Sequence, residues 1–147
     1  MKLSTKGRYA IRALVDLAMH QNGDPVLLRT IAQRQDISLQ YLEQLISPLV
    51  GAGILRSARG PKGGVMLARP TGKVKLSEVI QLAEGPFIPA ECINNPGVCD
   101  RSEVCATRDI LEELKQAMDG VLESTTLEDM VEKQKIKEAP KEAMYYI

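Results

Sequence analysis

Tryptophan is absent from this 147-residue chain, and phenylalanine and histidine occur once each. With one histidine there is no Ser/His/Asp set and no Cys/His pair in a pocket-forming segment, so the sequence reads as a non-enzyme. No apolar run approaches the roughly 18 residues of a membrane helix, which sets the expectation of no membrane association. The opening Met1-Lys2-Leu3-Ser4-Thr5-Lys6 has neither the apolar core nor the cleavage pattern of a secretory signal, which sets the expectation of a cytoplasmic protein. Cysteine is scarce and odd in number. Three residues cannot pair completely within one chain, and in a reducing compartment they are thiolates or ligands before they are disulfides.

What is present suffices for a core: 44% of the residues are apolar and 26% charged, which excludes low-complexity disorder for most of the chain. The net charge of zero conceals a division. Residues 1–75 carry 12 Lys and Arg against 4 Asp and Glu, whereas residues 76–147 carry 7 against 15. A basic amino-terminal module is suited to meeting a polyanion, and the acidic remainder has another task.

Residues 4–20 read as a helix, with Ser4 or Thr5 as its cap and Tyr9, Ala10, Ala13, Leu14, Leu17 and Ala18 at helical spacing. Gln21-Asn22-Gly23-Asp24-Pro25 ends it with turn chemistry. A short helix from Arg29 to Gln35 follows, then a turn at Asp36-Ile37. Ser38 caps a third helix running to about Ala52, with Leu42, Leu45, Ile46 and Leu49 inward and a kink or tightening expected at Pro48. Two short helices joined by a tight turn form a helix-turn-helix. Gln40, Tyr41 and Gln44 then occupy the start and outer face of the second helix, where side chains reach base edges.

The period next changes. Residues 55–59 and 65–68 alternate like strands, and Gly60-Pro61-Lys62-Gly63-Gly64 joins them. A hairpin directly after a helix-turn-helix is a wing, and its tip carries Arg59 and Lys62, suited to the negative potential of a narrow minor groove. The loop leads into a strand and lacks a Gly-Lys-Ser/Thr ending, which excludes a nucleotide phosphate loop.

Leu76 to Glu84 reads as a short helix capped by Ser77 and stopped by Gly85-Pro86. No pattern is visible from Phe87 to about Val104, a length that is unusual for a loop unless something holds it. Cys92, Cys99 and Cys105 fall there. Their spacing leaves three readings open: an iron–sulfur centre, zinc or thiol sensing, and inert thiols. A long helix from about Ala106 to Leu122 follows, with an apolar stripe from Ile110 to Leu122 suited to pairing with its twin. Thr125-Thr126-Leu127-Glu128 resembles a capping box for a last short helix. Residues 133–143 read as a mobile charged tail.

Ser4-Thr5-Lys6-Gly7-Arg8-Tyr9-Ala10, Ser38-Leu39-Gln40-Tyr41-Leu42-Glu43-Gln44-Leu45 and Arg59-Gly60-Pro61-Lys62-Gly63-Gly64 occur in order, followed by three spaced cysteines. In this the chain resembles, over about residues 1–132, the bacterial winged-helix regulator family of IscR, NsrR and CymR. The resemblance implies a homodimer that binds palindromic double-stranded DNA and regulates transcription. It implies DNA contacts at Ser38, Gln40, Tyr41, Gln44, Arg59, Gly60 and Pro61. Glu43 matches a family position facing DNA, where a carboxylate repels phosphate and acceptor-rich base edges and so rejects wrong sequences. Lys62 adds a charge at the wing tip.

The resemblance further implies an iron–sulfur cluster on Cys92, Cys99 and Cys105, expected as [2Fe–2S] with [4Fe–4S] the alternative, and control of cluster-biogenesis genes. The usual fourth ligand is a histidine soon after the third cysteine or an acidic residue near position 8. Arg108 and Arg8 stand at those places, leaving Asp100, Glu103 and Asp109 as nearby carboxylates. Glu84-Gly85-Pro86, the stretch 122–129 and Tyr145-Tyr146-Ile147 resemble the CymR branch. The alternative function is regulation of cysteine and sulfur metabolism, through thiol oxidation or through cysteine synthase, the partner that the CymR-like tail implies; CymR-like proteins lack the cluster cysteines.

The expected architecture is mostly α with a small β-hairpin. A winged helix-turn-helix spans residues 1–85 and a cysteine-containing cluster loop 86–105. A dimerisation helix with a short following helix spans 106–132, and a flexible tail 133–147.

Overall fold

The computed structural model describes residues 2–61 and 63–140. Helix α1, Thr5–His20, turns one face inward and buries Ala10, Ala13, Leu14 and Leu17. Helices α2, Leu28–Gln35, and α3, Leu39–Gly51, complete the helix-turn-helix. The turn between them works because Asp36 takes the left-handed conformation at φ 53°, which a short polar side chain tolerates. The Ser38 hydroxyl then accepts from the Tyr41 N–H and starts α3. Helix α3 continues through Pro48 to Gly51, with Leu42, Leu45, Ile46 and Leu49 buried as the periodicity requires.

Strands β1, Leu55–Ala58, and β2, Gly64–Leu67, pair antiparallel with Leu55 opposite Leu67. The hairpin is held to the helices by a bridge that the sequence does not announce. Val26 and Val65 exchange both backbone hydrogen bonds, at 2.8 and 2.9 Å. Gly64 permits this approach, because a Cβ there would lie 2.2 Å from the Val26 carbonyl oxygen.

Helix α4, Leu76–Glu84, buries Leu76, Val79 and Ile80. Ser77 does not cap it. The cap position is Lys75, and the Ser77 hydroxyl sits one residue inside the helix and donates to Glu123 at 2.7 Å. The segment beyond Gly85 is more ordered than its composition suggests. It contains a single helical turn, α5, Glu91–Asn94, and 3-10 turns at Pro96–Val98 and Ser102–Val104.

Helix α6, Ala106–Ser124, is the long helix expected. Helix α7, Leu127–Glu138, differs from expectation at both ends. Its capping box is built from Thr126 and Asp129, one residue beyond the reading from sequence. The helix also extends through the first half of the stretch read as a charged tail. The reason is tertiary: Leu127 and Val131 are buried in the amino-terminal core, which anchors the helix and carries the charged turns that follow. Backbone bonds from Leu76 N–H to Thr125 O and from Leu127 N–H to Val74 O, each 2.8–2.9 Å, fix its start.

The core is formed by α1–α4, the first strand residues and α7, with Leu14, Leu17, Ile31, Leu42, Leu49, Ile54, Leu55, Val74, Val79 and Leu127 fully buried. One charge lies within it. Asp16, 3% exposed, accepts from Arg34 Nε and Nη2 and from Gln35 Nε2 at 2.6–3.1 Å, which pays the desolvation of its carboxylate and clamps α2 to α1. The Arg34–Asp16 hydrogen bonds raise the Arg34 guanidinium above its ordinary pKa.

Candidate nucleic-acid interface and thiol loop

Helix α3 presents the residues singled out in its sequence on its outer side. Gln40, Glu43 and Gln44 are exposed, and Ser38 is exposed while its hydroxyl serves as the cap. Tyr41 is half-buried. Its ring stands edge-on to Tyr9 of α1, with centroids 6.1 Å apart and planes at 80°, and the Arg12 guanidinium lies 5.0 Å over the Tyr9 ring. Tyr41 is therefore both a surface residue of α3 and its bolt to α1.

Glu43 and Ser47 on α3 share a shallow groove with Ser57 and Ala58 of β1 and with Gly64 of β2. The outer side of α3 and the hairpin thus form one continuous surface. At its edge Arg59, Gly60 and Pro61 are exposed at the wing tip, and the Gly63 N–H donates to the Gly60 carbonyl at 2.9 Å to close the turn. Lys62 lies outside the described residues. On the other flank Tyr41 and Gln44 border a hollow of about 90 Å³ shared with Lys6, Leu82 and Ala83, so α1 and α4 reach the same face.

The thiols are arranged differently. Cys92 lies in α5 and is half-buried, Cys99 follows the first 3-10 turn and is exposed, and Cys105 is the cap residue of α6 and half-buried. All three are free. Ser102 orders the loop between them. It is 8% exposed, and its hydroxyl is within 2.8 Å of the Pro96 carbonyl oxygen and 2.9 Å of that of Cys99. A serine in a polar stretch carries no signal of this role in the sequence. Arg108, at the place where a fourth ligand is usual in the family resembled, donates through Nε to the Cys92 carbonyl at 3.1 Å and lies 3.7 Å from Glu112. It fastens the loop to α6 and is a donor, not a ligand.

Cluster chemistry requires several thiolates near one another. The donor set meets the chemical part of that requirement, with three free thiols on one loop. The geometry is looser: among the described residues no three His, Cys, Asp or Glu side chains gather as metal ligands. Asp100, Glu103 and Asp109 are exposed, as is Arg8. His20 is committed elsewhere, with Nδ1 2.7 Å from the Asp16 carbonyl oxygen.

A helix-turn-helix with an attached two-stranded wing defines the winged-helix class of folds, widely used to bind DNA. The Rrf2 family, described as iron-dependent transcriptional regulators, matches residues 3–133, and the chain belongs to it. The HTH-type transcriptional regulator IscR of Xenorhabdus nematophila is 38% identical over 136 residues, covering 92% of this chain and 82% of that protein. Among solved structures, IscR of T. potens superposes with a TM-score of 0.79 at 36% identity, covering 99% of this chain and 97% of that one. CymR, described as the global cysteine regulator of B. subtilis, superposes with a TM-score of 0.78 at 36% identity, covering 90% and 98%. Both branches resembled in sequence are therefore similar in fold. No helix among the described residues is long and apolar enough to cross a membrane.

Proposed function

We propose that the protein is a homodimeric regulator that binds palindromic duplex DNA and reports iron–sulfur status through Cys92, Cys99 and Cys105, controlling cluster-biogenesis genes. The observation that carries this reading is the position of the three free thiols. They occupy the loop that joins α4 to α6, and Cys105 is itself the cap residue of α6, so a group bound there bears directly on the start of that helix. Cys92, Cys99 and Cys105 would hold the cluster, [2Fe–2S] by resemblance to IscR. Bound, it supplies a reversible, oxidant-sensitive link whose presence depends on cluster supply.

The remaining work belongs to the chain. Gln40 and Gln44 offer amide pairs to base edges, and Arg59 offers a guanidinium beside Gly60 and Pro61 at the wing tip. Ser38 fixes where α3 begins, and Tyr41 fixes how it sits on α1. Glu43 repels sequences rich in acceptors at its position. Arg108 ties the Cys92 backbone to α6, so ordering the loop is transmitted to that helix.

The similarity to CymR favours a second reading, regulation of cysteine or sulfur metabolism; the free and partly exposed thiols would supply its signal by oxidation. One experiment separates the two. Protein purified without oxygen is examined by visible absorption, with iron and sulfide counted on the same sample. Charge-transfer bands and about one cluster per chain, lost in Cys99→Ser, support the cluster reading. Colourless protein that resists reconstitution, yet binds DNA in a manner reversed by thiol oxidants, supports the second.

A further inference from the structure

Three donors converge on one carboxylate oxygen of Glu84. The Ser4 backbone N–H lies 2.7 Å from Oε1, the Ser4 hydroxyl 2.6 Å and the Gly7 N–H 3.1 Å. Ser4 occupies the cap position of α1, where its hydroxyl was expected to satisfy a helical N–H, yet it makes no such bond. Glu84 takes over that task from 77 residues away in sequence, placing a negative charge at the positive end of a 16-residue helix. Gly7 makes room for it. A Cβ at position 7 would stand 2.5 Å from Glu84 Oε1 and 3.2 Å from Ile80 Cδ1.

What this contact joins gives it a use. Glu84 is the last residue of α4, and Gly85 follows at φ 81°, where the chain departs for the thiol loop. On the other side, α1 carries Tyr9, whose ring abuts Tyr41 in the first turn of α3, between Gln40 and Gln44. The contact therefore sets the seat of the helix face proposed to read DNA.

We propose that Glu84 is a positioning residue for DNA reading: by binding Ser4 and Gly7 it holds α1 against α4 and, through Tyr9 on Tyr41, sets the first turn of α3. The proposal rests on the reading that α3 contacts bases. Glu84 itself reaches no base. Its loss lowers selectivity and leaves the attraction of the basic surface for phosphate in place.

The test compares full-length wild type, Glu84→Gln, Glu84→Ala, Gly7→Ala and the double variant Gly7→Ala/Glu84→Ala, all without cluster. The probes are a duplex selected by the wild type from a random-sequence pool and the unselected pool itself. Glu84→Ala is expected to lose about tenfold on the selected duplex, the scale of one charge-assisted hydrogen-bond cluster, with binding to the pool unchanged. Glu84→Gln retains the accepting oxygen and most of the affinity. Gly7→Ala weakens selected binding alone, and costs less when Glu84 is already alanine, because the clash is then relieved. A wild-type ratio of selected to unselected binding in Glu84→Ala overturns the proposal. Where that variant does not fold, the same ratio in Gly7→Ala overturns it. A wild type that selects no duplex overturns the DNA-reading interpretation and this proposal together, so the two failures are distinguishable.

Discussion

Helices α1 and α6 are 16 and 19 residues long and each carries an apolar stripe, yet α1 buries seven residues and α6 none. On α6, Ile110 is 62% exposed and Val121 65%. An apolar stripe states that a helix needs a partner and does not say where the partner is. For α1 it comes from α2, α3, α4 and α7 of the same chain. For α6 the chain supplies α4, the thiol loop and a polar corner where Lys75 and Ser77 bind Glu123, while Ile110 and Val121 remain uncovered. The unsatisfied stripe is why a second copy of the chain is the natural occupant in the function proposed.

Two changes test that contrast and a pair of carboxylate replacements sharpens it, in falling order of effect. Leu14→Ala removes a side chain that is 1% exposed in the core, and is expected to cost about 3 kcal/mol of stability by urea unfolding. Ile110→Glu on α6 is expected to change the stability of the isolated chain by less than about 0.5 kcal/mol. It should nonetheless shift the sedimentation coefficient of a concentrated sample towards the monomer and weaken operator binding with it. Loss of the fold in Ile110→Glu would erase the difference between the two helices.

The smallest effect sits at the corner between α6 and α7. Lys75 and Ser77 hold the Glu123 carboxyl below its ordinary pKa, and the Thr126 backbone and hydroxyl do the same for Asp129. A folded-state pKa below the unfolded one means the contribution is complete above the ordinary carboxylate range and is lost as pH falls through the folded-state values. Glu123 is exposed and Asp129 half-buried, so salt and solvent screen both contributions. Replacing them by Glu123→Gln and Asp129→Asn is expected to flatten slightly the fall in melting temperature on acidification below about pH 4. An unchanged acid slope would place the sensitivity elsewhere.

Much of the reading body was legible because its signals are local. The capping serine at 38, the buried set Leu42, Leu45, Ile46 and Leu49, and the turn at Asp36 each involve residues within a few positions of one another. So do the strands flanking Gly60-Pro61. The errors arose where a side chain had two uses open to it. Ser4 stands just ahead of α1 and Ser77 in the first turn of α4, and a hydroxyl at a helix start usually caps it. Carboxylates at Glu84 and Glu123 claimed them instead, from 80 and 46 residues away. The thiol loop was legible as three cysteines on an unpatterned stretch, while its organiser, Ser102, was not. Tyr146 and Ile147, which carried the suggestion of a cysteine synthase tail, lie outside the described residues.

The sequence by itself determined helices α1 to α4 and α6, the hairpin, the inward faces of α1, α3 and α4, the basic amino-terminal half and the number and spacing of the thiols. Periodicity, turn chemistry and composition are properties of neighbouring residues, and they survive without a fold. Only the tertiary structure decided that Val26 pairs with Val65 and that Leu127 and Val131 enter the amino-terminal core. It alone placed Glu84 over the start of α1 and Arg108 on the Cys92 backbone. Each of these joins residues distant in the chain, chosen by which surfaces meet when the core closes, and such a contact leaves no period behind it in the chain.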